Sequence, residues 1–383
     1  MSYALPIGKS PLFTAFFLSR PNRFLVRCED NRRGVIQAFL PNPGRLSELF
    51  FPGVRLYVLD HSEDAGTRAT NYTVVAVERD GAPVMLHTHW CNEMAAKLLA
   101  DHAVPELEQV RVLRREVKMG RSRFDFLLED EHGEIFLEVK SCTLFGNGVA
   151  MFPDAVTERG RRHLLELAEL AESGKRCRVL FVVQTDRARF FMPDYHTDIA
   201  FAQTMLEVRD RVRFMALPVS WSPKLRYKPG TSLLTIPWEY IRRESEDRGA
   251  YLVVLKLPES SRIPVGGLGT LVFKAGYYVY VGSAMRGLAA RIARHRRRRK
   301  RMHWHIDYLR AAADVVDVLP IRASDRQECI LADDLGALMP RTSPGFGCGD
   351  CRCESHLFFS RENPLEQPAF HLWLQGWRMR RPE

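Results

Sequence analysis

The chain has 383 residues, a formal net charge of +10 at pH 7 and a sequence pI of about 9.3. This length suffices for two or three domains with sizeable cores. Apolar runs stay far below the ~18 residues of a membrane helix, and no secretory signal pattern is found at the N-terminus. The eight cysteines are too few and too scattered for a disulfide scaffold. We therefore expect a cytoplasmic protein without membrane association.

The positive charge is unevenly distributed along the chain. Residues 246–383 contain 22 Lys and Arg against 15 Asp and Glu, so +7 of the total lies there. This excess predicts a polyanionic partner that is bound mostly by the last third of the chain. The alternative is a basic protein whose surface has no specific partner. Composition gives no indication of the oligomeric state.

Residues 1–83 form the first predicted segment, which is all-β. Short apolar runs are separated by turn-rich breaks, most clearly at 41–44; the runs are 24–27, 35–40, 54–59 and 72–77. This spacing is typical of a small barrel or sandwich. Arg45 follows the Pro/Gly turn, where it can contact a phosphate, although an ordinary surface arginine is an equal alternative.

Residues 84–235 form the second segment, in which helical and strand patterns alternate. Asn92 is a candidate helix cap directly before Glu93. A hairpin follows, then a second helix capped by Thr157, then a buried strand over 179–183. The order helix, strands, helix, strand predicts a mixed sheet covered by helices.

The hairpin carries the residues that point most clearly to chemistry. Two apolar runs flank the polar stretch 130–133, and a turn centred there places Asp125 opposite Glu138, about 5 Å away. Carboxylates this close repel each other unless a proton or a divalent cation lies between them. Lys140 lies on the same strand face as Glu138. This face predicts a Mg²⁺ site with a nearby ammonium group. A solvated edge hairpin is the alternative.

The second helix is predicted to be amphipathic. Its apolar positions are Leu164, Leu165, Leu167, Ala168 and Ala171, and its polar side carries Arg159, Arg162, His163 and Glu166. Arg159 and His163 are one turn apart, so both are candidates for contacting a phosphate. A hydrogen-bonded surface histidine is the alternative for His163.

Residues 246–383 form the third segment, after a charged stretch at 242–248 that is typical of a linker. Strands are predicted over 250–257 and 271–281, followed by a helix from about 285 past 301. The basic run in that helix predicts nucleic-acid contacts through His295, Arg296, Arg297, Arg298 and Lys300. A solvated charged face is the alternative.

A cysteine-rich loop follows near the end of the chain. Cys348, Cys351, Cys353 and His356 have the ligand count of a structural zinc site. Their spacing is tighter than in ordinary zinc knuckles, so a Gly-rich loop with reduced thiols is the favoured interpretation.

The first two segments resemble the SfsA family, named for sugar fermentation stimulation. The resemblance rests on the motifs at 20–24, 41–45 and 126–140 and above all on the stretch 149–164. It implies an OB-like barrel joined to a nuclease core of the PD-(D/E)xK type. It also implies that Asp125, Glu138 and Lys140 are catalytic, that Asp125 and Glu138 bind Mg²⁺ (or Mn²⁺), and that Glu93 is a supporting acid.

The third segment resembles the GIY-YIG nuclease superfamily. Residues 249–251 match the first half of its signature and residues 278–282 the second half. The resemblance implies an α+β domain in which Tyr251, Tyr280 and Arg291 are catalytic and Glu328 is both catalytic and a metal ligand. His295 also matches one of the catalytic places of the superfamily by position. Alanine replaces the central isoleucine of the signature, so the match supports the fold more than the activity.

The fold class expected from these patterns is therefore a multidomain α/β protein. A small OB-like barrel, a mixed PD-(D/E)xK-type sheet with flanking helices and an α+β GIY-YIG-like domain follow one another at 1–83, 84–235 and 246–383. The predicted function is metal-dependent hydrolysis of phosphodiester bonds in DNA or RNA. The alternative is a non-catalytic DNA-binding regulator of gene expression.

Overall fold

The structure is a computed structural model that describes residues 2–5, 10–64 and 70–382. The chain divides into two compact units. One consists of residues 1–194, 200–238 and 379–383, and the other of residues 195–199 and 239–378. The two N-terminal domains predicted from the sequence thus fall within a single unit. Among the described residues, no helix has the length and hydropathy needed to span a membrane.

The first unit begins with a barrel. After β1 (Tyr3–Ala4), its strands are β2 (Leu12–Asn22), β3 (Leu25–Asp30), β4 (Gly34–Phe39), β5 (Arg55–Asp60), β6 (Tyr72–Arg79) and β7 (Ala82–Met85). They pair in the order β4-β3-β2-β5-β6-β7, and β4 also pairs with β6 through Phe39 and Thr73. This pairing closes the barrel, so the OB-like prediction is confirmed. Strand β2 lacked a clear signal because it is apolar on both faces, with Phe16 and Leu18 exposed.

A seven-stranded mixed sheet forms the rest of this unit, with the order β1-β16-β15-β13-β10-β9-β8. Strands β10, β13 and β15 are parallel, whereas β8, β9 and β10 are antiparallel. The elements are α1 (Thr88–Ala100), β8 (Arg111–Met119), β9 (Ser122–Asp130), β10 (Gly133–Cys142), β11 (Leu144–Gly146), β12 (Val149–Phe152), α2 (Glu158–Glu172), β13 (Arg176–Val183), β14 (Phe190–Pro193), α3 (Ile199–Val208), β15 (Val212–Trp221) and β16 (Arg226–Pro229). The predicted mixed sheet with flanking helices is confirmed.

The central strands β10, β13 and β15 are buried on both faces, which explains their continuous apolar residues. Met94 and Leu98 of α1 pack with Leu137 of β10 on one face. Leu164 of α2 packs with Phe136 of β10 on the other face. Neighbouring residues of β10 therefore belong to different cores, and polar side chains at its end are directed to one helix or the other.

Two helix predictions for this unit had different outcomes. Thr157 caps α2 as expected, because its hydroxyl accepts a hydrogen bond from the Gly160 N–H at 3.0 Å. The prediction that Asn92 caps α1 is wrong, since α1 already begins at Thr88 and Asn92 lies inside it. The prediction that His163 lies on the solvent-facing polar side of α2 is also wrong. Its ring is buried, because the face of α2 that packs on the sheet is wider than the apolar residues alone indicate.

The second unit is built on a four-stranded sheet with the order β21-β17-β20-β22. Its elements are α4 (Trp238–Glu244), β17 (Gly249–Leu257), β18 (Ser261–Pro264), β19 (Thr270–Phe273), β20 (Gly276–Ala284), α5 (Leu288–Arg296), α6 (His305–Ala312), β21 (Asp314–Arg322), α7 (Glu328–Leu338), β22 (Leu357–Ser360) and α8 (Pro368–Arg378). Helices α5 and α6 pack on one face through Leu288 and Ile306. Helices α7 and α8 pack on the other through Leu331 and Phe370.

Two boundaries in this region were predicted wrongly. The charged stretch expected to be a linker begins inside α4, because its first three residues form the end of that helix, where Arg242 pairs with Glu239 one turn earlier. The basic helix does not pass Arg301 but ends at Arg296. Continuing it would stack like charges at helical spacing. Instead the chain turns back, and Lys300 and Arg294 both pair with the buried Asp307.

Replacing Thr157 with alanine tests whether the cap holds α2 in place. Loss of the hydroxyl leaves the Gly160 N–H without its acceptor, so we expect stability to fall by about 0.5–2 kcal/mol. Urea unfolding of the wild type, Thr157→Ala and Thr157→Ser measures this difference. The serine variant keeps the acceptor and should remain near the wild type. Equal destabilisation by both substitutions would mean that the lost methyl group, and not the cap, is responsible.

Candidate functional site

The predicted hairpin forms with the predicted register. Asp130 pairs with Gly133 and Phe126 with Leu137, so one further step places Asp125 opposite Glu138. The ladder between β9 and β10 ends at that step. Strand β9 continues along β8, whereas β10 continues along β13 to Cys142. The two strands therefore diverge, and the candidate site lies in the fork between them.

Asp125 lies at the point where the strands separate. One of its carboxylate oxygens accepts a hydrogen bond from the Val139 N–H at 2.7 Å, replacing a bond of the ladder. The other accepts one from the Asn92 side chain at 2.6 Å. Burial and the facing Glu138 carboxylate raise the pKa of Asp125 to about 6. A second negative charge in this fork thus depends on a compensating cation.

Glu138 is 2% exposed, and only one of its two carboxylate oxygens has partners that compensate its charge. Its Oε1 accepts from the Lys140 ammonium group and lies 2.6 Å from His163 Nδ1. Burial opposes ionisation, but Lys140 and His163 together lower the pKa of the Glu138 carboxyl. Its Oε2 is buried and has no hydrogen-bond partner within the described residues. Glu138 is therefore an anion with one oxygen still to be satisfied.

His163 turns out to be a buried partner of Glu138. The Arg159 guanidinium lies 3.5 Å from its Nε2, in a donor geometry. If Nε2 accepts this hydrogen bond, the ring proton must be on Nδ1, which faces the Glu138 carboxylate. Arg159 itself is exposed at the start of α2. The structure thus brings together four predicted residues, but His163 positions the glutamate and does not face solvent.

The donor set in this fork fits a hard divalent cation. The buried, unpartnered Oε2 of Glu138 is the oxygen that such an ion requires, and the Asp125 carboxylate faces it. Carboxylate oxygens are the preferred protein ligands of Mg²⁺ and Mn²⁺. Asn92, which the sequence analysis assigned to a helix cap, contributes by holding Asp125.

Two other predicted residues of this unit are exposed. Glu93 forms an ion pair with Arg115 on the surface of α1, so its role as a supporting acid stays a prediction. The neighbouring residue on the helix, Asn92, is the one that faces Asp125. Arg45 is exposed in the turn after β4, and its carbonyl accepts a hydrogen bond from Arg20.

The second unit contains its own candidate site, a cavity of about 590 Å³ that Tyr251, Tyr280, Arg291 and Glu328 all line. All four residues predicted as catalytic in this unit thus surround one space. Strand pairing explains part of this arrangement, because Tyr251 of β17 lies opposite Gly282 of β20. A Cβ atom at position 282 would lie 2.5 Å from the Tyr251 ring, so the glycine leaves room for the phenol.

The Tyr251 hydroxyl lies 2.9 Å from Nε2 of His295. Burial lowers the pKa of His295 to about 3, so the imidazole is neutral. Burial also raises the pKa of Tyr251, and the phenol therefore donates to the imidazole. The prediction that His295 binds nucleic acid is wrong, because a ring that is 1% exposed cannot reach a phosphate. It instead accepts a hydrogen bond from the Tyr251 hydroxyl.

Cationic and anionic groups lie on different walls of this cavity. The Arg291 guanidinium stacks 4.1 Å from the centre of the Trp304 ring. Glu328 accepts a hydrogen bond from the Ser283 hydroxyl and lies 3.3 Å from His356 Nδ1. Burial disfavours the Glu328 carboxylate, but these two partners lower the pKa of its carboxyl. The cavity thus offers a held cation and an ionised acid to one ligand.

The basic run contributes less to the surface than its sequence predicts. Lys300 is only 6% exposed in its ion pair with Asp307, so its prediction as a nucleic-acid contact is wrong. Arg296 and Arg298 are 56% and 66% exposed beside Asp317 and Asp314. Arg297, Arg299 and Arg301 are exposed as well. These five arginines form the basic surface that the fold leaves to solvent.

Three family models match the chain. The SfsA N-terminal OB domain matches residues 18–86, the sugar fermentation stimulation protein RE domain matches residues 89–225, and the domain of unknown function DUF123 matches residues 250–374.

Individual relatives agree with these matches. A sugar fermentation stimulation protein homolog of Chloroflexus aurantiacus is 42% identical over 200 residues, which cover 52% of this chain and 76% of the relative. The homolog of Methanothermobacter thermautotrophicus is 40% identical over 190 residues, covering 49% and 78%. The structure of Pyrococcus furiosus SfsA in complex with Ca²⁺ superposes with a TM-score of 0.53 at 30% identity, covering 59% of this chain and 96% of that one.

The raised pKa of Asp125 predicts how stability depends on pH in the presence of a chelator. The native state binds this proton more tightly than the unfolded chain, whose aspartate has a pKa near 3.8, so stability falls as the pH rises from about 4 to 6. Asp125→Asn removes the charge and should be more stable than the wild type by about 1–3 kcal/mol above pH 6, but not at pH 4. Urea unfolding at both pH values measures the difference. An equal difference at both would contradict the raised pKa.

Proposed function

The chain belongs to the family of sugar fermentation stimulation proteins, and we propose that its central domain is a metal-dependent nuclease that hydrolyses phosphodiester bonds in DNA or RNA. The observation that carries this proposal is the buried Glu138, which has one oxygen bound by Lys140 and His163 and the other without a hydrogen-bond partner in the described part of the chain. A purely structural glutamate would be satisfied on both oxygens. The Oε2 atom of Glu138 is therefore placed to bind a cation.

Asp125 and Glu138 would hold Mg²⁺ or Mn²⁺ in this proposal. The bound ion would polarise a phosphoryl oxygen and lower the pKa of a water molecule. The Pyrococcus furiosus relative, whose structure contains Ca²⁺, supports a divalent cation in the family. Ca²⁺ shares the preference of Mg²⁺ for oxygen ligands.

The protein groups around the proposed ion have separable roles. Lys140 is 19% exposed and binds Glu138, so its ammonium group can orient the attacking water at the mouth of the fork. His163 and Asn92 fix the two carboxylates from opposite faces of the sheet. Arg159, exposed one helical turn before His163, is available to a phosphate. Charge that develops on the phosphoryl oxygens would thus meet cations that are already in position.

The barrel supplies a surface that suits single-stranded nucleic acid. Phe24 and Phe39 are 49% and 43% exposed, and their rings stack with centroids 6.5 Å apart. Phe16 on the neighbouring strand β2 is also 40% exposed, and Arg27 is exposed on β3. Exposed aromatic rings beside a cation are the elements that bind stacked bases and the backbone without sequence preference. Such a surface without turnover would equally serve the alternative function, a DNA-binding regulator.

The second unit is proposed to carry a second phosphodiesterase-type site. Tyr251 donates to a neutral imidazole, Arg291 offers a cation and Glu328 an ionised acid, all on one cavity. A tyrosine in this setting can help deprotonate water, and an arginine can neutralise a phosphate. Glu328 would hold a single Mg²⁺.

Replacing Lys140 tests the proposed activity of the central domain. We expect Lys140→Ala to reduce Mg²⁺-dependent cleavage of labelled single- and double-stranded DNA and RNA by about 100-fold or more. The matched control is Lys175→Ala, because Lys175 pairs with Glu134 at the other end of β10. Cleavage that survives Lys140→Ala but disappears in Tyr280→Phe would assign the activity to the second unit. Tight binding without cleavage of any substrate would favour the regulator.

Removing the exposed rings of the barrel tests its role in binding. Each of Phe24→Ala and Phe39→Ala should weaken binding of a fluorescent oligonucleotide about tenfold, because a stacked base contributes ~1–3 kcal/mol. Leu372→Ala is the control, since Leu372 is 73% exposed on α8. Fluorescence anisotropy in chelator measures binding without turnover. Unchanged affinity in both phenylalanine variants would exclude this face as the binding surface.

A further inference from the structure

Four side chains of the second unit converge in a way that no resemblance accounts for. They are Cys329, Cys351, Cys353 and His356, and one ligand atom from each lies within 4.8 Å of all the others. The Cys351 Sγ and His356 Nε2 atoms are 3.5 Å apart. Ligand atoms of a tetrahedral zinc site are separated by roughly 3.5–3.8 Å, given Zn–S of ~2.3 Å and Zn–N of ~2.0 Å. The four atoms thus surround a space close to the size of one zinc ion.

The backbone explains how these residues meet. Cys329 is the second residue of α7, and the other three lie in the loop that leads into β22. That loop folds back on itself, because the His356 N–H donates to the Phe346 carbonyl and the Gly345 N–H to the Glu354 carbonyl, both at 2.8 Å. Phe346 is fully buried and anchors the loop. The loop thereby carries two thiols and an imidazole to the start of the helix.

The histidine is already oriented as a metal ligand. Its Nδ1 lies 3.3 Å from a carboxylate oxygen of Glu328, and because this oxygen is a hydrogen-bond acceptor, the Nδ1 proton is directed to Glu328. Nε2 is then the nitrogen that faces the thiols. Histidine ligands in metal sites usually donate their second N–H to a carboxylate in this manner, which fixes the tautomer and strengthens the ligand.

The ligand set differs from the one that sequence spacing indicated. Cys348 is not part of the cluster, and its thiol instead lies 3.5 Å from the Phe346 carbonyl. Cys329 takes its place. The tight spacing is no longer an obstacle, because the loop has to supply only three of the four ligands and α7 supplies the fourth.

We propose that Cys329, Cys351, Cys353 and His356 form a structural zinc site, and that the bound ion fixes the imidazole that in turn holds Glu328. Three thiolates and one imidazole in a closed tetrahedron are typical of structural zinc. The zinc site stands independently of the proposed nuclease activity. Only its consequence for Glu328 rests on that proposal, since Glu328 lines the cavity of the second unit.

Metal content of the purified full-length chain, free of any affinity tag, tests the ligand set. Elemental analysis should find about one zinc per chain in the wild type and in Cys348→Ser. Cys329→Ser and Cys353→Ser should contain little or none. Reconstitution with Co²⁺ gives a second readout, because a tetrahedral thiolate site produces thiolate-to-cobalt charge transfer and intense visible bands. Circular dichroism of each variant establishes that it is folded.

Glu328→Gln tests the link to the cavity without measuring cleavage. Competition with a chromophoric chelator should find zinc bound about 10–100-fold more weakly, as expected when the partner of a ligating histidine is weakened. An unchanged zinc affinity would separate Glu328 from the metal site. Absence of both zinc and a cobalt spectrum in the reduced wild type would overturn the site. Zinc lost from Cys348→Ser but kept in Cys329→Ser would overturn the ligand set.

Discussion

The central domain depends on how a buried carboxylate, Glu138, is neutralised. An ionised group that is 2% exposed is strongly disfavoured unless charges and hydrogen bonds compensate it. Lys140 comes from the same strand and His163 from the helix on the same face, so compensation requires both local alternation and tertiary packing. These partners occupy one oxygen only. The other oxygen has no hydrogen-bond partner among the described residues and lies near Asp125, which is why we propose a divalent cation there.

Buried acids in the second unit are also stabilised by neighbouring cations and hydrogen-bond donors. Glu328 is held by Ser283 and His356, and Asp307 by Arg294 and Lys300. The two acids have different consequences. Glu328 lines the cavity and remains available to a ligand, whereas Asp307 is fully buried and uses two cations to shape the turn after α5. Two cations of the basic run, Arg294 and Lys300, thereby neutralise a buried acid.

In the proposed function, nucleic-acid binding and phosphodiester hydrolysis therefore depend on different parts of the molecule. The barrel offers exposed rings and the second unit an exposed row of arginines, which suit a polyanion of any sequence. The carboxylates lie in a fork and in a cavity, where the dielectric is lower and charge–charge interactions are stronger. In the proposed function, binding and hydrolysis therefore depend on different residues and can be tested separately.

Some features of this protein follow from its sequence alone. The hairpin register that sets Asp125 against Glu138 depends only on a two-residue turn and on strand alternation, both of which are local. The Thr157 cap and the helices and strands of the mixed sheet are local for the same reason. The motif residues of the second unit also gather at one cavity, because β17 and β20 are simple antiparallel neighbours.

Other features were decided only by tertiary structure. His163 looked like a polar surface residue, but the width of the packed face of α2 brought it to Glu138. His295 and Lys300 looked like phosphate contacts, but each found a buried partner, Tyr251 or Asp307. Cys329 gave no signal, because a ligand on a helix and its partners in a distant loop share no sequence spacing. Periodicity reports which residues share a face of one element, whereas partners on other elements are set by how those faces pack.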